Sequence, residues 1–452
     1  MAIKMKFFLS LGIALCISVS ISAADGDVKK ATINGLEWTY MVVSEANKTC
    51  KVGASELKSL DSDDEYYWEN THLAIDVNTT GAISIPSKLN SYTVVAIAEG
   101  AFIDCQISSV IIPEGVSMDE GRAFVSCDNL TSVQLPEGLI TTGLASFHSC
   151  RKLQTINLPS TLVRIEDETF ENCESLKNII LPENVLFIGK EAFKNSAITE
   201  IVIPATVEYI HSSAFRLCNS LTSLSVNEGN IVYDSRDNCN AIIETATNRL
   251  VGNLPSATTI PSFVKIIGAY LFESSHITSI DIPEGVTIIE KRAFSSSNLN
   301  TISFPNTLTS IGEEAFGRCK NLSTIYFPVS LTSIGIYAFE NCKNLRDVYN
   351  LATTPQVLDS EYSFATGNMD GPIYGATLHV LPGCKAAYQT ANVWKSFSNI
   401  VEDAVPADIT SNYKSVQRIK SRYTLDGRLS SNRKGITIIS MEDGSVKKAL
   451  KP

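Results

Sequence analysis

A short, regular repeat constrains this chain more than any other feature of its sequence. The repeated phenylalanines are Phe102, Phe124, Phe147, Phe170, Phe193 and Phe215, and then Phe272, Phe294, Phe316 and Phe339. Isoleucine precedes eight of these ten by five positions, and prolines recur in the same phase. A unit this short cannot bury its own apolar side chains, whereas stacked units share a continuous core. The sequence therefore predicts a solenoid.

Each repeat contains the pattern of a short half-buried strand. In one unit Ile302 and Phe304 alternate with Thr301 and Ser303, which predicts two inward and two outward side chains. Pro305 follows and ends the strand, because proline has no N–H to donate to a ladder. The next apolar residues return the chain along the opposite wall. A right-angled, β-rich solenoid follows from this alternation.

One step in the phenylalanine series, from Phe215 to Phe272, is much longer than a single repeat. Two strand-like segments, 240–244 and 249–254, flank a turn at 245–248 within this step. The segment 258–261 then resumes the repeat. We therefore expect a projecting hairpin near 227–256 and no domain break.

The repeat motifs resemble those of the BspA-like leucine-rich repeat family. The resemblance covers residues 80–402 and rests on these segments: Gly81–Pro86, Asn230–Glu244, Leu322–Pro328, Leu331–Gly335, Ala338–Cys342 and Ala376–Pro382. It implies a β-rich leucine-rich-repeat solenoid of 22–23-residue repeats with an inserted hairpin and a small α/β C-terminal cap. It also implies an exported protein that adheres to host matrix or serum proteins, or to other cells. The segments Gly35–Tyr40 and Tyr66–Trp68 predict short strands that form a β-rich N-terminal cap.

The first residues have the composition of a secretory signal. Lys4 and Lys6 precede an apolar run, and small residues end it at Ala24. Leu15 before Cys16 does not fit a lipoprotein signal. We expect cleavage after Ala24, export, and no later membrane span. The predicted organisation is a signal peptide at 1–24, a cap at 25–91, the solenoid at 92–350, a second cap at 351–405 and a basic tail at 406–452.

Charge is distributed unevenly. The chain carries 37 Lys and Arg against 48 Asp and Glu, a net charge of −11, which argues against nucleic acid as a partner. Residues 410–452 nevertheless hold ten basic and three acidic residues. Two strand signals in this tail predict a small hairpin. We interpret the tail as a sorting or attachment module, or as a solvated basic appendage.

Seven cysteines stand three positions after a repeated phenylalanine, and serine replaces them in the other three repeats. A position that accepts either residue favours a small buried side chain, so we expect a ladder of reduced thiols. The absence of a CxxC pair argues against a zinc cage. Cys50, Cys239 and Cys384 lie outside the column, and Cys50 is the best candidate for a disulfide.

No catalytic or metal-binding motif stands out, and the five histidines form no such pattern. We expect no enzyme activity, cofactor or metal. The candidate partner-binding residues occupy the outward strand position: Gln134, Asn157, Ile180, Val202, Asp281, Ser303, Tyr326 and Tyr349. Apolar and aromatic side chains there suit proteins or glycans of host matrix or other cells, although they also stabilise a sheet. The alternative function is a self-associating surface scaffold without a foreign ligand.

Overall fold

The computed structural model describes residues 26–54, 57–59, 66–68, 73–358, 361–364, 375–403, 419–424, 435–441 and 446–451. The proposed signal peptide and its cleavage site lie outside these residues. The chain divides into two compact units, Met1–Asn298 and Leu299–Pro452. Both contain parallel β-solenoid turns, as the repeat predicts.

The first unit begins with a β-rich cap. Its main sheet has the order β1-β2-β3-β8-β7. Trp38 and Tyr40 point inward from β2 and are almost fully buried, which follows from their alternation with polar residues. Its strands are β1 (Val28–Ile33), β2 (Leu36–Ser44), β3 (Thr49–Val52), β4 (Leu57–Ser59), β5 (Tyr66–Trp68), β7 (Lys88–Leu89) and β8 (Tyr92–Ile97).

In each unit, a row of parallel strands (the first row) forms one wall of the solenoid turns. In the first unit this row contains the sheets β6-β9-β10-β11 and β14-β16, and in the second unit the sheet β22-β24-β26-β28-β29. The strands are β6 (Gly81–Ser84), β9 (Ile107–Ile111), β10 (Ser132–Gln134), β11 (Thr155–Asn157), β14 (Glu200–Ile203), β16 (Ser223–Val226), β22 (Thr301–Ser303), β24 (Thr324–Phe327), β26 (Asp347–Asn350), β28 (Thr377–Val380) and β29 (Asn399–Glu402).

In each unit, a second row consists of two-residue strands, most of which contain a repeated isoleucine. They are β12 (Arg164–Ile165), β13 (Phe187–Ile188), β15 (Tyr209–Ile210), β20 (Ile266–Ile267), β21 (Ile288–Ile289), β23 (Ser310–Ile311), β25 (Ser333–Ile334) and β27 (Val357–Leu358). The repeated isoleucine of each pair faces the core and the residue before it faces outward. The two rows therefore present two different outer faces.

The repeated phenylalanines stack along the axis of the turns. From Phe102 to Phe215, consecutive ring centroids lie 4.9–5.7 Å apart with nearly parallel planes. In the second unit, Phe316 and Phe339 stack at 5.3 Å. Each buried ring contributes roughly 1.5–3 kcal/mol once its neighbours cover it. This stack is the core that the sequence predicts.

The corner around each phenylalanine forms a third ladder between turns. The residues two before and two after Phe124, Arg122 and Ser126, have φ of 52° and 57°. At this corner the backbone N–H groups of Arg122, Phe124 and Ser126 all donate to the next turn, at 2.6, 2.8 and 2.8 Å. These bonds offset the cost of placing residues with side chains in the left-handed region.

The ten described cysteines are free thiols, and the seven in the repeated column are buried. The Sγ of Cys127 lies 2.9 Å from the carbonyl oxygen of Phe102, one turn earlier. Cys150 and Cys218 repeat this contact with Phe124 and Phe193, at 3.1 and 3.0 Å. The column is therefore a thiol ladder, as the alternation of cysteine and serine predicts, and Cys50 is likewise free.

The predicted hairpin is present but does not project. It contains β17 (Tyr233–Asp234), β18 (Ala241–Glu244) and β19 (Arg249–Asn253). These strands join the second row in the order β17-β18-β19-β20, and β19 pairs with β20 in parallel. Ile242 and Leu250 are fully buried. The hairpin lies within the sheet because its apolar residues need the same core.

The last solenoid turns of the second unit are followed by the small α/β cap that the sequence predicts. Its only α-helix among the described residues is α1 (Lys385–Thr390). Tyr388 donates to the carbonyl oxygen of Ala352 at 2.8 Å, and the Trp394 indole donates to that of Gln356 at 2.9 Å. Both aromatic side chains are fully buried, so their polar atoms need these partners.

The tail contains one more strand than the predicted hairpin. Its strands β30 (Ile419–Thr424), β31 (Gly435–Met441) and β32 (Val446–Lys451) form an antiparallel sheet in that order. The described part of the chain contains no apolar helix of membrane-spanning length. The domain boundaries and the attachment role of the tail stay predictions.

We predict that the column thiols resist alkylation in the folded protein. Burial raises the pKa of Cys105 to about 12 and that of Cys218 to about 11, so neither supplies a thiolate at mildly alkaline pH. Mass spectrometry after iodoacetamide treatment should find label first on the half-buried Cys239 and Cys384. In urea all these cysteines should react, and rapid native labelling of the column would contradict the ladder.

Candidate binding face

The predicted partner-binding residues lie on the outer face of the first row. In the first unit, Gln134 and Asn157 are aligned with Ile111 across three neighbouring strands. Ile180 is 88% exposed, although the residues on both sides of it are buried. Val202 is 48% exposed and pairs with Ser225. The alternation therefore places these side chains in solvent.

Two of the candidates, Asn157 and Asp281, take part in contacts within the first unit. The Asn157 side chain accepts a hydrogen bond from the backbone N–H of Leu135 at 3.0 Å and donates to its carbonyl oxygen at 3.2 Å. These bonds extend the strand ladder, so the side-chain amide of Asn157 has a structural role. Asp281 is exposed and forms a parallel bridge with Thr259.

In the second unit the row forms a stack of rings. Register aligns Ser303, Tyr326, Tyr349 and His379 on four neighbouring strands. The rings of Tyr326 and Tyr349 stack with centroids 4.7 Å apart, and Tyr349 and His379 stack at 4.2 Å. All three rings are partly exposed. The two predicted tyrosines thus lie together in one aromatic ladder.

Two carboxylates hold the histidine of this ladder. The Nδ1 of His379 lies 2.5 Å from Asp403 Oδ2, and its Nε2 lies 3.1 Å from Asp347 Oδ1. The side chains of Asp403 and Asp347 remain partly exposed to solvent, at 46% and 42%. Burial, the neighbouring Tyr326 and the charges of Asp347 and Asp403 raise the pKa of Tyr349. Its hydroxyl therefore stays protonated and able to donate beside an acidic rim.

Sequence reasoning missed His379, because the last repeats depart from the regular spacing. The separation between Tyr349 and His379 in the sequence exceeds one repeat, although the two lie on paired strands. The proximity of His379 to Asp403 depends on how β29 returns beside β28. A comparison of the outward strand residues alone does not reveal that His379 lies between Asp347 and Asp403.

A second cluster, also missed, lies on the outer face of the second row. The Arg164 guanidinium carbon lies 3.9 Å from the centroid of the Phe187 ring, which stacks on Tyr209 at 5.0 Å. Ile140, Leu186 and Tyr209 are 53%, 37% and 45% exposed. The signal was available: Arg164, Phe187 and Tyr209 each stand directly before a repeated isoleucine. Exposed apolar residues grouped in this way favour a contact surface.

An ion-pair ladder runs along the corners of the first unit. Lys194 Nζ lies 2.7 Å from Glu171 Oε1 and 2.9 Å from Glu191 Oε2. Arg216 pairs with Glu191 at 3.5 Å and also with Glu273. Glu273 belongs to the turn that follows the insertion. The ladder thereby links turns that are separated by the inserted hairpin.

Fold and surface define a leucine-rich-repeat β-solenoid with exposed side-chain ladders. The chain belongs to the BspA type leucine rich repeat family, whose model matches six copies over residues 83–233 and 252–367. The resemblance that the motifs indicate is thus confirmed. No curated protein matches the sequence.

Solved structures share the fold. One is the pneumococcal vaccine antigen PcpA, with 17% identity, a TM-score of 0.54, and coverage of 84% of this chain and 99% of that one. Another is a leucine-rich repeat protein from Eubacterium ventriosum, with 20% identity, a TM-score of 0.53, and coverage of 84% and 97%. At these identities the likeness concerns the fold alone.

We predict that Lys194→Gln lowers the free energy of unfolding by roughly 1–3 kcal/mol, because it removes the ammonium that lies between two largely buried carboxylates and leaves only the longer contact of Arg216 with Glu191. Urea denaturation should detect the loss. Lys190→Gln, in an exposed position of the same turn, is the matched control and should change stability by less than about 0.5 kcal/mol. Equal effects of the two substitutions would contradict a stabilising ladder.

The effect of Lys194→Gln should also depend on pH. Burial acts to raise the pKa of Glu191, but the bond from Lys194 and the charge of Arg216 outweigh it and bring the pKa below the ordinary 4.5. A lowered pKa contributes stability above the ordinary value, and this contribution disappears as pH falls through the folded-state pKa. The difference in the free energy of unfolding between wild type and Lys194→Gln should therefore become smaller in acid, and urea denaturation at several pH values should detect this change.

Proposed function

We propose that this protein is an exported, non-enzymatic binding protein, displayed at or released from the cell surface. Its partners would be proteins or glycans of host matrix, serum or other cells. Support comes from the secretory composition of residues 1–24 and from membership in the BspA type repeat family. Repeat solenoids offer broad, shallow faces, which suit macromolecular partners better than small substrates.

The observation that carries the proposal is the ladder of Tyr326, Tyr349 and His379 on the outer face of the first row. Tyrosine is frequent among the residues that dominate binding energy, because it combines apolar area with a polar hydroxyl. Asp347 and Asp403 add exposed negative charge beside the rings. This chemistry favours a partner surface with basic residues.

The test is binding of the purified protein to immobilised matrix and serum proteins, glycans and whole bacteria at two salt concentrations. We expect saturable binding to a subset, weaker at high salt because exposed charges are screened. For a partner so found, the double variant Tyr326→Ala/Tyr349→Ala should weaken binding more than about tenfold. Circular dichroism of the variant verifies its fold.

Tyr209→Ala is the matched control for the two tyrosines. It removes an exposed stacked ring from the second row of the first unit. If it abolishes binding while the double variant binds normally, the binding face is the second-row cluster and the assignment to the first row is wrong. Concentration-dependent assembly in light scattering, without any selective partner, would favour the surface-scaffold function instead.

A further inference from the structure

A histidine and two glutamates converge at one end of the ion-pair ladder. His148 and Glu171 each follow a repeated phenylalanine, so stacking places them in the same column of adjacent turns. Glu168 stands two positions before the phenylalanine of its turn. One ligand atom from each of the three side chains lies within 4.8 Å of the others. This cluster differs from the rest of the ladder because it contains an imidazole.

The backbone fixes the three positions. Ser149 donates to the carbonyl oxygen of Glu171 at 2.8 Å, and Phe147 donates to that of Thr169 at 3.0 Å. Glu171 is only 7% exposed and cannot turn away into solvent. The spacing of the turns therefore sets the distance between imidazole and carboxylates before any ligand arrives, which lowers the entropy cost of binding.

Within the described ranges, no hydrogen bond joins the three side chains to one another. His148 Nε2 lies 3.7 Å from Glu171 Oε2, which is too long for a hydrogen bond. No hydrogen bond or ion pair of the Glu168 carboxylate is found within the part of the chain that the structure describes. Two atoms bound to one tetrahedral zinc ion lie about 3.4 Å apart. The 3.7 Å between His148 Nε2 and Glu171 Oε2 is close to that value, and the other two pairs of ligand atoms lie within 4.8 Å.

We propose that His148, Glu168 and Glu171 bind a divalent transition-metal ion of the zinc class. One imidazole and two carboxylates suit Zn²⁺, Co²⁺ or Mn²⁺, whereas Mg²⁺ and Ca²⁺ prefer oxygen ligands alone. Three protein ligands leave a coordination position open to water or to a side chain of a binding partner.

Lys194 limits the affinity of this site without blocking it. Its ammonium lies 2.7 Å from Glu171 Oε1, whereas the imidazole of His148 faces the other carboxylate oxygen, Oε2. Repulsion between the ammonium and the ion lowers the affinity relative to sites without a neighbouring cation. We therefore expect reversible binding and a fold that persists without metal.

The experiment uses the untagged full chain after metal removal. Titration with Co²⁺ should show one ion per chain and the weak visible bands of nitrogen and oxygen ligands, and Zn²⁺ should raise the unfolding temperature. His148→Gln and Glu168→Gln should each weaken Co²⁺ binding at least about tenfold. His276→Gln, which changes an exposed histidine outside the cluster, is the control and should bind as wild type.

Three results would overturn the site: no Co²⁺ binding at millimolar concentration, unchanged binding by His148→Gln, or a strong near-ultraviolet thiolate band that assigns the metal to cysteines. Unfolding of the variants without metal shows whether each still folds. Glu168→Gln keeps the test decisive if the histidine variant does not fold, because the fold does not depend on a bond from the Glu168 carboxylate.

Discussion

The stacking of one turn on the next is the interaction on which this structure depends. A single turn exposes its phenylalanine on both ring faces, and only a neighbour in register covers them, as the 5.5 Å stack of Phe124 and Phe147 shows. The backbone enforces the same register through the corner ladder, where Phe124 donates to the carbonyl oxygen of Ser146 at 2.8 Å. Core and hydrogen bonds therefore specify the same spacing, and neither would form in an isolated repeat.

The repeated apolar residues occupy the inward positions of each turn. Only the outward positions are therefore free to vary in chemistry and to form a binding surface. The register that stacks phenylalanines inside also stacks whatever stands outside, so Tyr326 and Tyr349 form a ladder without any further device. Phe187 and Tyr209 form another on the second row. A solenoid thus converts a short pattern in sequence into a continuous surface, whose chemistry changes from turn to turn while its spacing stays constant.

The same register also brings charged side chains of adjacent turns together, and there they form ion pairs. Side chains of opposite sign that meet between turns, such as Lys194 with Glu171 and Arg216 with Glu273, become a ladder of ion pairs. Partial burial makes each pair costly to break, so the column reinforces the register set by the core. Where the alternation ends, at His148, two carboxylates share one side of the ladder with an imidazole. Glu171 therefore belongs both to the ion-pair ladder and to the cluster that we propose as a metal site.

The sequence by itself determined the solenoid, its inward residues, the thiol column, the inserted hairpin and the outward place of Tyr326 and Tyr349, because each depends on a period that is visible along the chain. Only the tertiary structure decided that the hairpin joins the second row, since that depends on which core its apolar residues can reach. It also decided that Asp347 and Asp403 meet at His379, and that Arg216 pairs with Glu273 across the insertion. These contacts join residues from different repeats at irregular separations, and a period carries no information about where such residues meet.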